Sequence, residues 1–442
     1  MVNDLKELMR ENVAAPPPDH LDLTSLVVAG RRRVRRRRFG VVGGVCVAVA
    51  GVVLGAAVAL PHGNDRAGVS DRPPAPDAPT VDLSKAGDAV EGRDYRVLAS
   101  YTNENLDRDN GQYFDGVTDD GLILFRDGPR SDQLYARLAL MDPATEEKDW
   151  LPDPPSGQNQ TWPVDLGADR LVLVGGTGGG MKTHMAAYVF DRTARQWSTV
   201  QWPTLPKLGF FPTASLGPDG RLYAFVQAKR IQVPEGGWPT GPDGEADDSG
   251  ADGEKYHLWS VSLTDPGDVR DEGLTVGSLA FTDTSMVWTD STNGDAGLVH
   301  VRDLATGEEH SFDPHTGEKC NLLSFGVTGD LVMMSQYCGD YGSVRDDRVQ
   351  LLTTDGDQVV TLQDSGVEGV VQGDGDGVVT VTSYGNRPGS YVYDPEAGDF
   401  LRLSTGVSKF SLGGSTPDGL FLWDVPVNKG HGATQLLGEL LP

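Results

Sequence analysis

One pattern constrains the fold of this chain more than any other: a turn rich in Asp and Gly followed by a short apolar run, met seven times. It reads Asp120-Gly121-Leu122-Ile123-Leu124-Phe125, then Arg170-Leu171-Val172-Leu173-Val174, Gly220-Arg221-Leu222-Tyr223-Ala224-Phe225 and Ser285-Met286-Val287-Trp288. The last three are Asp330-Leu331-Val332-Met333-Met334, Gly377-Val378-Val379-Thr380-Val381 and Gly419-Leu420-Phe421-Leu422-Trp423. From Leu122, Leu171, Leu222, Met286, Leu331, Val378 and Leu420 the steps are 49, 51, 64, 45, 47 and 42 residues. A period of about 40–50 residues with several short strands per unit is that of a β-propeller.

A second marker follows the first in most units. A strand runs into a tight polar turn, as in Leu138-Ala139-Leu140-Met141-Asp142-Pro143-Ala144-Thr145, Tyr188-Val189-Phe190-Asp191-Arg192-Thr193 and Tyr391-Val392-Tyr393-Asp394-Pro395-Glu396. Asp, Pro, Thr and Gly are the residues such turns demand. Each unit therefore reads as four antiparallel strands. The second shows little alternation because neighbouring blades cover both its faces. The expectation is an all-β, seven-bladed propeller over residues 94–442, or six blades if the last unit is partial. The last unit lacks a fourth strand after Thr434–Leu440, whereas Tyr95–Tyr101 is a strand without a unit. Tyr95–Tyr101 is predicted to complete the last blade and close the ring, which removes free sheet edges.

Two units resemble kelch repeats: Leu171-Val172-Leu173-Val174-Gly175-Gly176 with Tyr188 and Trp197, and the half-match Met141-Asp142-Pro143-Ala144-Thr145 with Trp150. The other units resemble generic WD40-like or TolB-like blades. The arrangement as a whole resembles membrane-anchored propeller proteins common in actinomycetes. That resemblance implies a fold and a location, not an activity.

The location is argued from the head of the chain. Residues 39–60, FGVVGGVCVAVAGVVLGAAVAL, hold no charge over 22 positions, enough at 1.5 Å per residue to cross a hydrocarbon core of about 30 Å as one transmembrane helix. Seven arginines precede it, Arg31, Arg32, Arg33, Arg35, Arg36, Arg37 and Arg38. They predict a cytoplasmic N-terminal head over 1–38, contact with anionic lipids and an exported C-terminal body. The competing reading is a cleaved signal peptide, with Arg36-Arg37-Arg38-Phe39 as a loose twin-arginine pattern and Ala57-Val58-Ala59 as the cleavage site. Gly40, Gly44 and Ala48, then Gly51, Gly55 and Ala59, form small-residue steps of four that suit helix dimerisation. Residues 61–93, with Pro61, Pro73, Pro74, Pro76 and Pro79 and no apolar period, read as a disordered or extended linker.

Charge excludes one class of partner. Residues 1–60 carry nine Lys/Arg and five Asp/Glu, leaving 28 basic against 59 acidic residues beyond them, a net of −31. Such a body repels phosphate backbones, so nucleic acid is not expected as a ligand.

Of three cysteines, Cys46 falls in the apolar segment and reads as a small packing residue. Cys320 and Cys338 lie symmetrically about Gly329, the centre of a hairpin, so an antiparallel register sets them opposite each other. An exported location permits their oxidation, and a disulfide is predicted. Zinc is not expected, because no ligand quartet is present.

Catalytic motifs are missing: the chain has no G-x-S-x-G, H-E-x-x-H, P-loop or sialidase Asp box. No catalytic residue, metal or cofactor is assigned. The acidic insertion near 228–256 and the run Asp374-Gly375-Asp376-Gly377 read as a solvated loop and a plain turn. Loops joining second to third strands are long, whereas the opposite face carries tight turns such as Thr118-Asp119-Asp120-Gly121 and Gly217-Pro218-Asp219-Gly220. Long loops on a rigid frame are where binding resides. The candidate binding residues there are Trp162, Trp202, Phe211, Trp238, Tyr341, Tyr384 and Arg387, able to stack on a glycan or grip a peptide. Blade-packing aromatics look the same in sequence. The chain therefore reads as a membrane-tethered binding or scaffold module for an envelope glycan or partner protein. The alternatives are an exported hydrolase or lyase with its site at the channel mouth, and a signalling component with a cytoplasmic docking head.

Overall fold

Seven successive sheets make up the part of the chain that the computed structural model describes, which is residues 79–442 except 107–110, 129–135, 158–159, 178–182, 209–212, 229–254, 292–296, 316–319, 339–346, 374, 376 and 409–413. Three strands come before the first blade: β1 (Thr80–Asp82), β2 (Gly87–Asp88) and β3 (Tyr95–Asn103). Blade 1 holds β4 (Gln112–Val117), β5 (Ile123–Asp127), β6 (Arg137–Met141) and β7 (Lys148–Trp150). Blade 2 holds β8 (Thr161–Leu166), β9 (Arg170–Thr177), β10 (His184–Asp191) and β11 (Gln196–Gln201). Blade 3 holds β12 (Ala214–Leu216), β13 (Arg221–Gln227), β14 (Tyr256–Ser262) and β15 (Val269–Val276). Blade 4 holds β16 (Leu279–Phe281), β17 (Ser285–Thr289), β18 (Val299–Asp303) and β19 (Glu309–Phe312). Blade 5 holds β20 (Cys320–Thr328), β21 (Leu331–Cys338), β22 (Asp347–Thr353) and β23 (Gln358–Asp364). Blade 6 holds β24 (Val367–Gln372), β25 (Val378–Ser383), β26 (Gly389–Asp394) and β27 (Asp399–Arg402). Blade 7 holds β28 (Leu420–Val427) and β29 (Gly432–Leu440), completed by β3.

The predicted closure is present. β3 pairs antiparallel with β29, from Tyr95 opposite Leu440 to Asn103 opposite Ala433. Gly432 belongs to this seam: a Cβ there would lie 2.3 Å from the Asn103 carbonyl oxygen. The inner position of blade 7 is held by backbone, with Val117 N–H of blade 1 donating to Ser415 O at 2.8 Å. Seven blades, not six, form the ring.

No single core fills this fold. Seven hydrophobic clusters each lie between two successive blades. Leu124 and Leu140 of blade 1 meet Leu171, Leu173 and Tyr188 of blade 2. Val349 and Leu362 of blade 5 meet Val379 and Tyr391 of blade 6. Phe421 and Trp423 of blade 7 meet Val378 and Val392 of blade 6. The ring closes where Leu422 and Leu437 meet Phe114, Ile123 and Phe125. β5 shows why the second strand of each blade is apolar throughout: Ile123 and Phe125 face blade 7 while Leu124 faces blade 2. Each such side chain contributes roughly 1.5–3 kcal/mol on burial. The tight turns at the other end of these strands use left-handed glycines, with Gly220 and Gly419 both at φ +74°, where a Cβ would be strained.

The linker boundary at 93 needs correction. β1 lies parallel on β23 and β2 parallel on β27, so residues 80–88 form a strap across the outer edges of blades 5 and 6. Leu83 is fully buried among Val360, Leu362 and Val381. Asp82 caps the short 3₁₀ turn, accepting from Ser84 N–H at 2.7 Å. Edge pairing needs backbone and one anchor, not an apolar period, which is why composition pointed to a linker. Residues 1–78, including Arg31 to Arg38, Cys46, the apolar segment 39–60 and the rest of the linker, lie outside the described residues. Among the described residues no helix is long and apolar enough to cross a membrane.

Candidate functional site

The two ends of the propeller differ. On one, first-to-second strand connections are short: 167–169, 217–220, 282–284 and 329–330. On the other, second-to-third connections include 128–136, 228–255, 290–298 and 339–346, and blade-to-blade connections include 151–160. The latter face holds the candidate site.

The structure sorts the predicted binding residues into three groups. Phe211, Trp238 and Tyr341 lie outside the described residues. Trp202 and Arg387 are structural. Trp202 is 2 % exposed, packs between blades 2 and 3 beside Leu205, Leu208 and Val261, and its indole N–H donates to Ser262 O at 2.8 Å. The Arg387 guanidinium donates to Leu83 O at 3.1 Å and lies 3.8 Å from Asp88 Oδ1, so it clamps the strap. Its own carbonyl accepts from Tyr391 O–H at 2.6 Å. Trp162 and Tyr384 make up the third group. Trp162 sits half-buried on inner strand β8 opposite Val174, and Tyr384 is exposed just past β25, its N–H donating to Gly366 O. These two stand on blades 2 and 6 and form no joint aromatic patch among the described residues.

Sequence reading missed the charged residues on the first and second strands of the blades. Arg126 is buried against blade 2, its Nε donating to Asp115 Oδ2 at 2.7 Å and Nη2 to the same oxygen and to Thr161 O at 3.0 Å. Burial works against this guanidinium's charge, but Asp115 and Tyr113 hold its pKa above the ordinary value. Burial pushes the Tyr113 phenol up to about 12. The group staples blade 1 to the inner strand of blade 2. A buried arginine charge is tolerable only with such pairing.

Glu368 on inner strand β24 has a different setting. It pairs opposite Thr382, four residues past Val378, as Tyr113 pairs opposite Arg126, four past Leu122. Both therefore occupy the same level, toward the long-connection end. Burial alone raises the Glu368 pKa to about 7, and no ion pair or hydrogen bond from the described residues compensates it. The signal for it was a lone carboxylate within the apolar run Val367-Glu368-Gly369-Val370-Val371.

At the rim of blade 4, His300 Nε2 lies 2.9 Å from Asp290 Oδ1, and its ring stacks on Trp288 at 5.0 Å. Burial would raise the Asp290 pKa, but the bonds from His300 and the Leu298 N–H hold it below the ordinary value. Among the described residues neither partner bonds to a hydroxyl or thiol, so no nucleophile completes the pair. No cluster of three metal-ligating side chains occurs among the described residues.

The predicted disulfide joins Cys320 and Cys338, opposite each other in the β20–β21 register. Buried Asp347 fixes this rim, accepting from Cys338 N–H at 3.0 Å and Gly366 N–H at 2.8 Å.

No family model and no curated protein matches the sequence. Solved structures of low identity resemble it. The β-propeller domain of the trilobed protease from Pyrococcus furiosus is 11 % identical, with 69 % of this chain and 86 % of that one covered and a TM-score of 0.43. A polysaccharide lyase of family PL25, an ulvan lyase, is 11 % identical over 78 % of this chain and 96 % of that one, with a TM-score of 0.41. An uncharacterized protein of Listeria monocytogenes is 7 % identical over 74 % and 85 %, with a TM-score of 0.37. These likenesses are low, and the seven-bladed ring rests on this chain's own strand pairing.

Proposed function

We propose that this chain is a membrane-tethered, extracytoplasmic binding module that takes an envelope glycan or protein on the long-connection face of its propeller. The observation that carries the reading is the asymmetry of the two ends: short turns throughout on one, the long connections on the other. A rigid ring with adaptable loops on one side suits recognition. The Cys320–Cys338 disulfide supports an oxidising compartment. The uncharged segment 39–60 behind Arg31 to Arg38 supports a tether with the head in the cytoplasm, anionic lipid at the arginines and helix pairing along Gly40, Gly44 and Ala48. The glycine doublet Gly175-Gly176 with Tyr188 and Trp197 keeps the kelch resemblance within this reading. A net of −31 beyond residue 60 favours neutral or basic ligands.

The test uses cells producing the full chain. It is expected to stay in the membrane pellet through a carbonate wash and to lose its propeller to protease added outside. A photo-crosslinking residue at Tyr384 is expected to form envelope adducts, and one at Thr306 on the tight-turn face to form none. Release by carbonate, protection from the protease, or equal labelling at both positions would each contradict the proposal.

An exported hydrolase or lyase is the second reading, and Glu368 is the observation in its favour. A carboxyl with a pKa near 7 suits general acid–base work. Release of reducing ends or unsaturated sugars from envelope polysaccharide, lost in Glu368→Gln, would favour it over binding.

A further inference from the structure

We infer that Arg387 and Arg402, at the outer edge of blade 6, form a binding site for a phosphate-type oxyanion. The inference goes beyond the binding reading above and does not rest on it. Both residues stand toward the long-connection end. Arg387 lies in the connection 384–388 between β25 and β26, and Arg402 on β27 pairs opposite Tyr391, near the start of β26.

Arginines elsewhere in this ring meet carboxylates at close range. Beyond residue 60 the chain holds 59 acidic residues for 28 basic ones, so a carboxylate is seldom far. Arg192 lies 2.7 Å from Asp120, Arg195 2.6 Å from Asp149 and Arg270 2.9 Å from Asp268. Arg387 and Arg402 are held by carbonyls instead. Arg387 Nη1 donates to Leu83 O at 3.1 Å, and Arg402 Nη2 donates to Pro388 O at 2.7 Å. Among the described residues the one carboxylate within 4 Å of either is Asp88. Its Oδ1 stands 3.8 Å from Arg387 Nη2 and 4.0 Å from Arg402 Nη1, too far for a hydrogen bond to either. The Asp88 side chain is 77 % exposed. Asp82 and Asp364 also act on this corner, but they accept from Ser84 N–H and Ser365 N–H. Nε of Arg402 is buried and has no acceptor. Two charges are therefore ordered here without a close counter-ion.

Buried Tyr391 fixes both groups. The Arg402 guanidinium lies 5.8 Å from its ring centroid, and its O–H donates to Arg387 O at 2.6 Å. Side chains already ordered leave little ordering for a ligand to impose. The chemistry of two guanidiniums selects the ligand, because their planar donor sets match oxyanions. Arg387 Nη2 and Arg402 Nη1 flank one point, which a single Asp88 oxygen approaches without bonding to either. An anion with several oxygens on one centre offers one to each group. Phosphate has that form, whether free or carried along an envelope polymer. Asp88 is then a tethered competitor. The strap does not depend on its side chain, since Gly87 pairs with Leu401 and Ala89 N–H donates to Arg402 O at 2.9 Å. The acidic body repels anions at long range, so the arginine pair acts at contact, and removing the Asp88 charge strengthens it.

The experiment is equilibrium dialysis of radiolabelled inorganic phosphate against the detergent-solubilised full chain. The arginines at 31–38 are common to every variant, so differences between variants read the pair alone. The unaltered chain is expected to show one saturable component per chain. Asp88→Asn should tighten that component at least threefold, and Arg387→Gln should weaken it at least tenfold while the far-UV circular dichroism stays unchanged. A glycerol phosphate oligomer serves as competitor. Displacement at lower phosphate equivalents than unlabelled phosphate needs assigns the site to a polymer, and displacement at equal equivalents assigns it to the free anion. No saturable component in either the unaltered chain or Asp88→Asn would overturn the inference. So would unchanged or weaker binding in Asp88→Asn, or unchanged binding in Arg387→Gln.

Discussion

Blades 5 and 7 both receive strands from the start of the described chain, and to opposite effect. Blade 7 is incomplete without β3. Ala99 is buried with Leu422 and Leu437 against blade 1, and Tyr95 and Val97 pack on the side toward blade 6. Two wedges of the ring therefore depend on one strand that is far from its partners in sequence. Blade 5 is complete with β20 to β23, and its first two strands are joined by a disulfide. β1 adds three parallel residues and, through the turn that follows, one buried anchor, Leu83. The same edge chemistry closes a fold in one place and covers it in the other. The difference lies in how many wedges the added side chains enter.

The sharpest test of that contrast is deletion. Removing residues 79–88 is expected to leave a cooperative thermal transition, and extending the deletion through 103 to abolish it, as followed by far-UV circular dichroism. A ring that still melts cooperatively without β3 would break the comparison. Next comes truncation of the anchors. Leu437→Ala, at a fully buried seam position, should lower unfolding free energy by about 2–5 kcal/mol. Leu83→Ala should cost less in the same urea titration, because the loss is capped by the free energy of docking the strap.

Reducing the Cys320–Cys338 bond, which closes a separation of 18 residues, should cost about 3 kcal/mol. The loss should appear as a lower urea midpoint with dithiothreitol, absent in the Cys320→Ser/Cys338→Ser variant. The smallest effect belongs to blade 6, between the two. Burial pushes the Glu368 carboxyl from the ordinary 4.5 up to about 7 in the folded chain, so the folded state favours the protonated carboxyl. Its contribution is fully present below about pH 4.5 and is lost as pH rises toward 7. The loss is on the order of 2 kcal/mol after allowing for partial exposure. Glu368→Gln should remove that component from the urea midpoint measured between pH 4.5 and 8, and identical pH profiles would refute the assignment.

Much of the architecture was legible before any coordinates. The Asp/Gly turns and apolar second strands mark all seven blades, because a strand covered on both faces must be apolar throughout. The symmetry of Cys320 and Cys338 about Gly329 predicted their bond, since register in a hairpin follows from its turn. The orphan strand at Tyr95 identified the seam, since a ring cannot leave one blade short. The strap was not legible: Thr80-Val81-Asp82-Leu83 sits among prolines and aspartates, and parallel pairing of three residues leaves no period. The roles of Trp202 and Arg387 were not legible either. An aromatic between blades and one on a ligand face share the same sequence signature, and Arg387 serves a carbonyl roughly 300 positions away.

The sequence by itself determined the repeat, the strand order within a blade and the covalent link in blade 5. Those depend on local turn chemistry and on hydrophobic patterns that repeat. Tertiary structure alone decided which side chains share a wedge and, among the described residues, which charge is paired and which is left alone. Arg126 finds Asp115 eleven residues away, while Glu368, at the level of Tyr113 on another blade, finds no such partner among the described residues. Pairing across a ring is set by where the blades bring their atoms, and nothing in a linear pattern encodes that distance.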